Sequence, residues 1–253
     1  VKSFAEERQN RVLAELRDHG RVEVTELAAQ LSVSEDTVRR DLKRLAEAGY
    51  LQKTHGGAVA LDAAHLPWST RADVRTAAKS AIGKTAASLI TPGQSLFLDA
   101  GSTVLSVARQ LTARPLTIMT NSLDIAALFT ADDTITLSLT GGDWNPDSRH
   151  LTGPTALHTI TTRRADWAVL GACATHPQAG ITSTTPQDAQ LKTQMSHSAL
   201  RTMVVADRTK QNTIAPHLVL SPTEVDVLVT DDEHAATQWQ EIGVEVLLTA
   251  TAN

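Results

Sequence analysis

The 253-residue sequence predicts an α/β protein in two parts: a small N-terminal module of three helices and a β-hairpin, then a larger, mainly parallel α/β domain. Three observations predict it. The first sixty or so residues show helical periodicity and end in a Gly-Gly turn between two extended runs. From residue 96 onward, short apolar runs alternate with helical stretches, the pattern of parallel strands joined by crossover helices. Between the two, Pro67 breaks the helical pattern in a mixed polar and small stretch. The expected organisation is therefore 1–61 for the module, 62–73 for a linker and 74–253 for the α/β domain.

Taking the elements in order, residues 6–18 read as a helix with Val12, Leu13 and Leu16 on one face and Gly20 as its stop. Residues 24–31 read as a second helix with Leu27, Ala28 and Leu31 inward. After the tight connection Ser32-Val33, Ser34 is the expected N-cap, because its hydroxyl can accept from the freed N–H groups of the next turn. A third helix, 35–48, puts Val38, Leu42 and Leu45 on one arc and Asp36, Arg40, Lys43 and Arg44 on the opposite one. That arrangement is a helix-turn-helix. Residues 50–54 and 58–61 flank His55-Gly56-Gly57 as a hairpin, which makes the module winged.

In the larger part a helix is expected over 74–90. Strands are expected at 96–98, 116–119, 135–139, 167–170, 203–205, 225–229 and 244–248, with helices running to Leu111 and Phe129. Four strand ends carry small hydrogen-bonding groups: Asp99-Ala100-Gly101-Ser102-Thr103, Thr120-Asn121-Ser122, Thr140-Gly141-Gly142 and Ala206-Asp207. Open α/β sheets bind ligands outside the C-terminal ends of their strands, and Gly101-Ser102-Thr103 leads straight into a helix whose N–H groups can cradle an anion.

Composition narrows the function classes. At 42% apolar and 20% charged residues the chain is globular. One cysteine, Cys173, excludes a disulfide framework or a multi-cysteine metal site. The nine histidines show no ligand spacing, so no metal and no cofactor are expected. No apolar run approaches the ~20 residues of a membrane span. Residues 1–10 are charged without a signal-peptide core, which predicts a cytoplasmic protein.

The net charge of −5 argues at first against a nucleic-acid partner. Its distribution argues otherwise. Residues 1–57 carry ten basic and ten acidic groups, so the whole excess lies in 58–253. Residues 37–55 hold Arg39, Arg40, Lys43, Arg44 and Lys53 against Asp41 and Glu47, a local +3. Arginine offers a planar fork for guanine or phosphate, and lysine a mobile point charge. Ser34 and Thr37 sit where the helix dipole assists an anion. The candidate DNA-binding set is Ser34, Thr37, Arg39, Arg40, Lys43, Arg44, Lys53 and His55. Arg40 and Arg44 are the expected DNA-facing pair; Arg39 faces DNA or pairs with a neighbouring carboxylate, and His55 contacts the backbone or merely turns the chain. Asp41 is expected to bond inside the module, since a carboxylate facing phosphate repels it.

Glu6-Glu7-Arg8, the run Val33-Ser34-Glu35-Asp36-Thr37-Val38-Arg39-Arg40-Asp41-Leu42 and the turn Thr54-His55-Gly56-Gly57-Ala58 closely resemble the DeoR-type family of bacterial transcriptional repressors. The resemblance extends along nearly the whole chain through Asp99-Ala100-Gly101-Ser102-Thr103, Thr120-Asn121-Ser122, Gly141-Gly142, Gly153-Pro154, Lys192 after Gln187-Asp188, and Ala206-Asp207-Arg208-Thr209-Lys210. It implies a sensor domain similar in fold to ribose-5-phosphate isomerase, and phosphorylated sugars as effectors. The effector-binding set it implies is Asp99, Gly101, Ser102, Thr103, Asn121, Gly141, Gly142, Lys192, Asp207 and Lys210. The sequence departs from the family at Gly171-Ala172-Cys173-Ala174, where the family usually has Gly-Ala-Asp-Gly. A thiol is a poor substitute for a carboxylate, which argues against catalysis; a small packing role is expected for Cys173. Thr182-Ser183-Thr184-Thr185 either lines the pocket or forms a polar loop.

The expected function is thus a regulator, a repressor of a sugar-metabolism operon, with double-stranded operator DNA and a phosphorylated sugar as partners. A homo-oligomer, dimer or tetramer, is expected because one short recognition helix gives too little affinity alone. The competing readings are an isomerase-like enzyme with a DNA-binding module and a regulator whose pocket no longer binds ligand.

Overall fold

The structure, a computed structural model, describes residues 4–19, 21–47, 51–54, 56–60 and 75–249. The chain divides into two compact units, 1–70 and 71–253. Gly20, Tyr50, His55, Pro67, Trp68 and the expected linker 62–73 lie outside the described residues.

In the first unit α1 (Phe4–His19) leads through β1 (Arg21–Glu23) into α2 (Val24–Leu31), and α3 (Glu35–Glu47) follows the Ser32–Ser34 turn. β2 (Leu51–Lys53) and β3 (Gly57–Ala60) form the wing. Val12, Leu16, Leu27, Val38, Leu42, Leu45 and Leu51 meet in one core, and Leu13, Ala28 and Leu31, also expected inward, pack against it half-buried. β1 was not expected: three residues with exposed–buried–exposed alternation are too short to register as a strand. It pairs antiparallel with β3, which lies between β1 and β2. That pairing explains Gly57, where a Cβ would stand 1.9 Å from the carbonyl oxygen of Val22.

The second unit opens with α4 (Thr76–Ala87) and is built on a seven-stranded parallel sheet. Its strands, in chain order, are β4 (Ser95–Leu98), β5 (Leu116–Thr120), β6 (Ile135–Leu139), β9 (Ala165–Gly171), β12 (Ala199–Val205), β14 (Val227–Thr230) and β15 (Glu245–Leu248). Their spatial order is β15-β14-β12-β9-β4-β5-β6. The chain builds outward from β4 in one direction, then returns to β9 and builds outward in the other. The switch point of the sheet therefore lies between β4 and β9. Helices α5 (Ser102–Gln110), α6 (Leu123–Ala126), α7 (Pro154–Thr161), α8 (Pro186–His197) and α9 (Glu233–Glu241) fill the crossovers. α6 stops well before Phe129, where the sequence pattern carried it.

Two small antiparallel elements were not anticipated. β7 (Asp143–Asn145) and β8 (His150–Thr152) form a hairpin after β6. β10 (Ala174–His176), β11 (Gly180–Ser183) and β13 (His217–Leu220) form a three-stranded sheet. β11 absorbs Thr182 and Ser183, so half of the hydroxyl cluster is buried strand rather than loop. Among the described residues, no helix is long and apolar enough to cross a membrane.

Candidate functional site

In the first unit, α3 presents Arg39, Arg40, Lys43 and Arg44 on its exposed side while Val38, Leu42 and Leu45 are buried. Ser34 caps the helix as expected: its Oγ accepts from the Thr37 N–H at 3.3 Å and lies 2.9 Å from the Thr37 hydroxyl. Arg39 donates to Glu35 at 2.6 Å and lies 3.7 Å from Asp36, the carboxylate pairing left open by the sequence. Arg40 donates to the Asp36 carbonyl at 3.4 Å, and Lys53 is exposed on β2. His55 falls outside the described residues. Asp41 is buried as an internal partner, accepting from Arg8 at 2.5 Å and from Gln9 at 3.1 Å. The bond to Asp41 raises the affinity of Arg8 for its proton.

In the second unit, the C-terminal ends of β4 and β9 bring charged groups together. Asp99 follows β4 and is fully buried. Its Oδ2 accepts from the Gly171 N–H at 3.1 Å and lies 3.2 Å from Lys192 Nζ. Lys192 also donates to Asp188, one turn earlier on α8. Asp188 in turn accepts from the Ser183 hydroxyl at 2.6 Å. Cys173 is half-buried, its Sγ 3.8 Å from Ser183 Oγ and 4.0 Å from Asp188. The thiol therefore borders the charged cluster rather than filling apolar core.

The electrostatics follow from burial. Loss of water pushes the Asp99 carboxyl up to about 6 against the opposing pull of Lys192, with Asp188 adding to the rise. Burial alone would lower Lys192, but Asp188 and Asp99 outweigh it and raise its proton affinity. Burial would likewise raise Asp188, but Lys192 and the Ser183 hydroxyl hold it below the usual carboxylate range. A buried cation that stays charged can hold an anion or a ligand hydroxyl without proton transfer.

Asn121 extends this cluster onto the next strand. The register Leu98↔Thr120 sets Asp99 and Asn121 side by side. Asn121 is fully buried, and neither its side-chain oxygen nor its nitrogen meets a hydrogen-bond partner among the described residues; Asp99 Oδ1 is in the same position. Buried polar atoms are rarely left so, and here they point to a polar group that completes them. Gly101 precedes α5 and Ser102 and Thr103 lie in its first turn, all half-buried. Gly141 and Gly142 lie at the end of β6, next to α7.

Asp207 and Lys210 lie at a different strand end. They follow β12, two strands from β4. Asp207 caps a 3₁₀ turn, accepting from Thr209 N and Oγ1 at 2.9 and 2.6 Å, and faces Arg75 at 3.8 Å. The Lys210 carbonyl accepts from Thr175 Oγ1 at 3.3 Å. Asp188 is the cluster member that sequence reasoning left unassigned. Its i,i+4 spacing to Lys192 on a helix was the signal that could have found it.

A winged helix-turn-helix joined to an α/β domain with a buried polar cluster at the sheet's switch point defines a two-part class, a DNA-binding module with a sensor. Residues 8–64 match the DeoR-like helix-turn-helix domain and residues 74–232 match the DeoR C terminal sensor domain. The chain belongs to the DeoR family of transcriptional regulators. It is 31% identical to the HTH-type transcriptional repressor GlcR of Bacillus subtilis, with 97% of each chain covered. It is 33% identical to the transcriptional repressor AccR of Agrobacterium fabrum over 91% of each. It is 29% identical to the glycerol-3-phosphate regulon repressor of Escherichia coli, over 89% of this chain and 90% of that one. These relatives carry repressor names, and membership of the family makes the chain a transcriptional regulator. Among solved structures it is similar to ribose 5-phosphate isomerase A of Methanocaldococcus jannaschii, 17% identical, with a TM-score of 0.38 over 53% of each chain.

Proposed function

We propose that the protein represses a sugar-metabolism operon from the cytoplasm, binding double-stranded operator DNA as a homo-oligomer and releasing it when a phosphorylated sugar occupies the sensor. The observation that carries the sensor half is the buried Asp99–Lys192 pair beside the unpartnered amide of Asn121. Lys192 would hold an anionic or hydroxyl group of the sugar, and Asp99 and Asn121 its hydroxyls. The N–H groups that open α5 behind Gly101 would receive the phosphate. Two relatives at about the same distance carry repressor names, one of them for a glycerol-3-phosphate regulon.

On the DNA side, Arg40 and Arg44 of α3 would enter the major groove and Lys53 of the wing would lie over phosphate. Two such helices about 34 Å apart meet successive major grooves, which is why an oligomer is required. Residues 62–73 would link the units, so that ligand binding alters the spacing of the two DNA modules. A ligand shifts that equilibrium only by its differential affinity for the two states. The test is operator affinity of the full chain with and without saturating phosphorylated sugars, read beside a thermal-shift screen of the same compounds. Binding that lowers operator affinity supports the proposal; binding that leaves it unchanged overturns the coupling, and no hit across a broad panel overturns the effector.

A further inference from the structure

Three of the groups assigned to the effector are shut away from water: Asp99 and Asn121 are fully buried and Lys192 is 5% exposed. His150, beside them, is 4% exposed. A ligand reaches these three only if an element moves. The β7–β8 hairpin borders them.

Its inner strand, β8, lies directly on the site. The Leu151 N–H donates to the Asn121 carbonyl at 2.7 Å, and His150 lies within electrostatic reach of Asp188. Thr152 Oγ1 and Ser148 Oγ are buried and, among the described residues, have no hydrogen-bond partner, like the Asn121 amide. Its outer strand is exposed at Asp143 and Trp144. The hairpin is thus a two-faced strap, polar inside and wet outside.

Both its ends carry glycines. Gly141, Gly142 and Gly153 all adopt positive φ, at 68°, 104° and 92°. A Cβ on Gly142 would stand 2.2 Å from the Thr152 carbonyl oxygen, so the two ends of the strap close on each other without side chains between them. Glycines at such positions absorb the backbone rotation of a moving segment.

An ion pair ties the tip to α6. Arg149, itself at φ 55°, makes a two-pronged ion pair with Asp124 on α6, Nε to Oδ2 at 2.8 Å and Nη2 to Oδ1 at 2.5 Å. Its guanidinium lies 5.7 Å from the centre of the Trp144 ring. A bulky residue in left-handed backbone persists only where its side chain is held.

We infer that the 143–152 hairpin is a lid over the effector site, latched by Arg149–Asp124, and that Ser148, His150 and Thr152 contribute its ligand-facing wall. The inference rests on the effector reading above only for what the lid covers; the latch stands without it.

Two arms test it on the full chain. The first needs no ligand: hydrogen exchange at the Leu151 amide. Arg149→Ala and Asp124→Ala should each speed it by about tenfold while the Ile118 amide in the core is unchanged. The swap Arg149→Asp with Asp124→Arg should restore protection. Unchanged exchange at Leu151 in both single variants overturns the latch. The second arm uses inorganic phosphate, D-glucose 6-phosphate and D-fructose 6-phosphate, followed by stopped-flow tryptophan fluorescence, with Trp144→Phe removing the hairpin signal. Arg149→Ala should release a bound probe about tenfold faster than the wild type, and Lys192→Ala should not bind it. Binding with an unchanged release rate in Arg149→Ala overturns the lid. Absence of binding to the wild type sinks the effector reading and the ligand-facing wall together, and the exchange arm then judges the latch alone.

Discussion

Lys192 Nζ lies 3.2 Å from Asp99 Oδ2 while also bonding Asp188, so one buried ammonium group serves two buried carboxylates. Removing a partner from a buried ion pair costs more than the pair contributes, because the remaining charge is stranded without water. Lys192→Met strands two. The sensor should lose about 3–5 kcal/mol at pH 8, the range for breaking a buried pair. The loss should shrink at pH 5, where Asp99 takes up a proton that burial already favours. Urea unfolding of the full chain, followed at both pH values, checks this. Equal stability of variant and wild type at pH 8 would show that the cluster is solvated rather than buried.

Asp99 also predicts how the wild type responds to pH. Its carboxyl titrates at about 6 when folded, above its ordinary value near 4. Between those values the folded chain holds more protons than the unfolded one. This contribution is therefore fully present below about pH 4 and is lost as pH rises through 6, an effect on the order of 2–3 kcal/mol. Asp188, held below its ordinary value, works in the opposite sense and loses its contribution only in stronger acid. Asp99→Asn should flatten the stability profile between pH 4 and 6 while leaving the acid limb in place. A profile unchanged by the substitution would assign the titration to another group.

What was legible in the sequence was what depends on local periodicity. The arc Val38, Leu42, Leu45 and the parallel strands of the sheet follow from 3.6-residue and continuous apolar patterns that no distant contact is needed to read. β1 and the β7–β8 hairpin were not legible, because strands of three residues carry no period and exist only through partners far along the chain. The site divides in the same way. Asp99 and Asn121 were marked by strand-end motifs, and Lys192 only by the family resemblance. Their junction with Asp188, Ser183 and Gly171 is made by the switch between β4 and β9, a feature of topology. Asp207 and Lys210 carried the same kind of strand-end signature, yet the intervening strand β9 separates them from Asp99.

β1 supplies its own test. A Cβ at residue 57 would stand 1.9 Å from Val22 O and 3.0 Å from Glu23 Cα, both backbone atoms that no rotamer change can move. Gly57→Ala should therefore part β1 from β3 and destabilise the first unit by about 1–3 kcal/mol, as overpacking does. Hydrogen exchange should rise at Val22, while amides of β9 keep their protection. Unaltered exchange at Val22 would mean that the wing forms without β1.

The basic face of α3 sets apart the adjacent arginines Arg39 and Arg40. Arg39 is engaged by Glu35 and Asp36, whereas Arg40 meets a backbone carbonyl at the long limit of a hydrogen bond. A guanidinium already paired with carboxylates must give up those bonds to reach DNA; Arg40 gives up little. Arg40→Ala should weaken operator binding by about tenfold or more, a base or phosphate fork being worth ~1–3 kcal/mol. Arg39→Ala should change it by less than about threefold, since its guanidinium stays with the Glu35 and Asp36 carboxylates. Titrations at several salt concentrations distinguish the modes of contact. If Arg40 binds phosphate, its loss lowers the slope of log K against log salt by about one; if it reads a base edge, the slope stays and discrimination between operators falls. Equal losses from the two variants would show that the Glu35 pair opens on DNA and that both arginines belong to the interface.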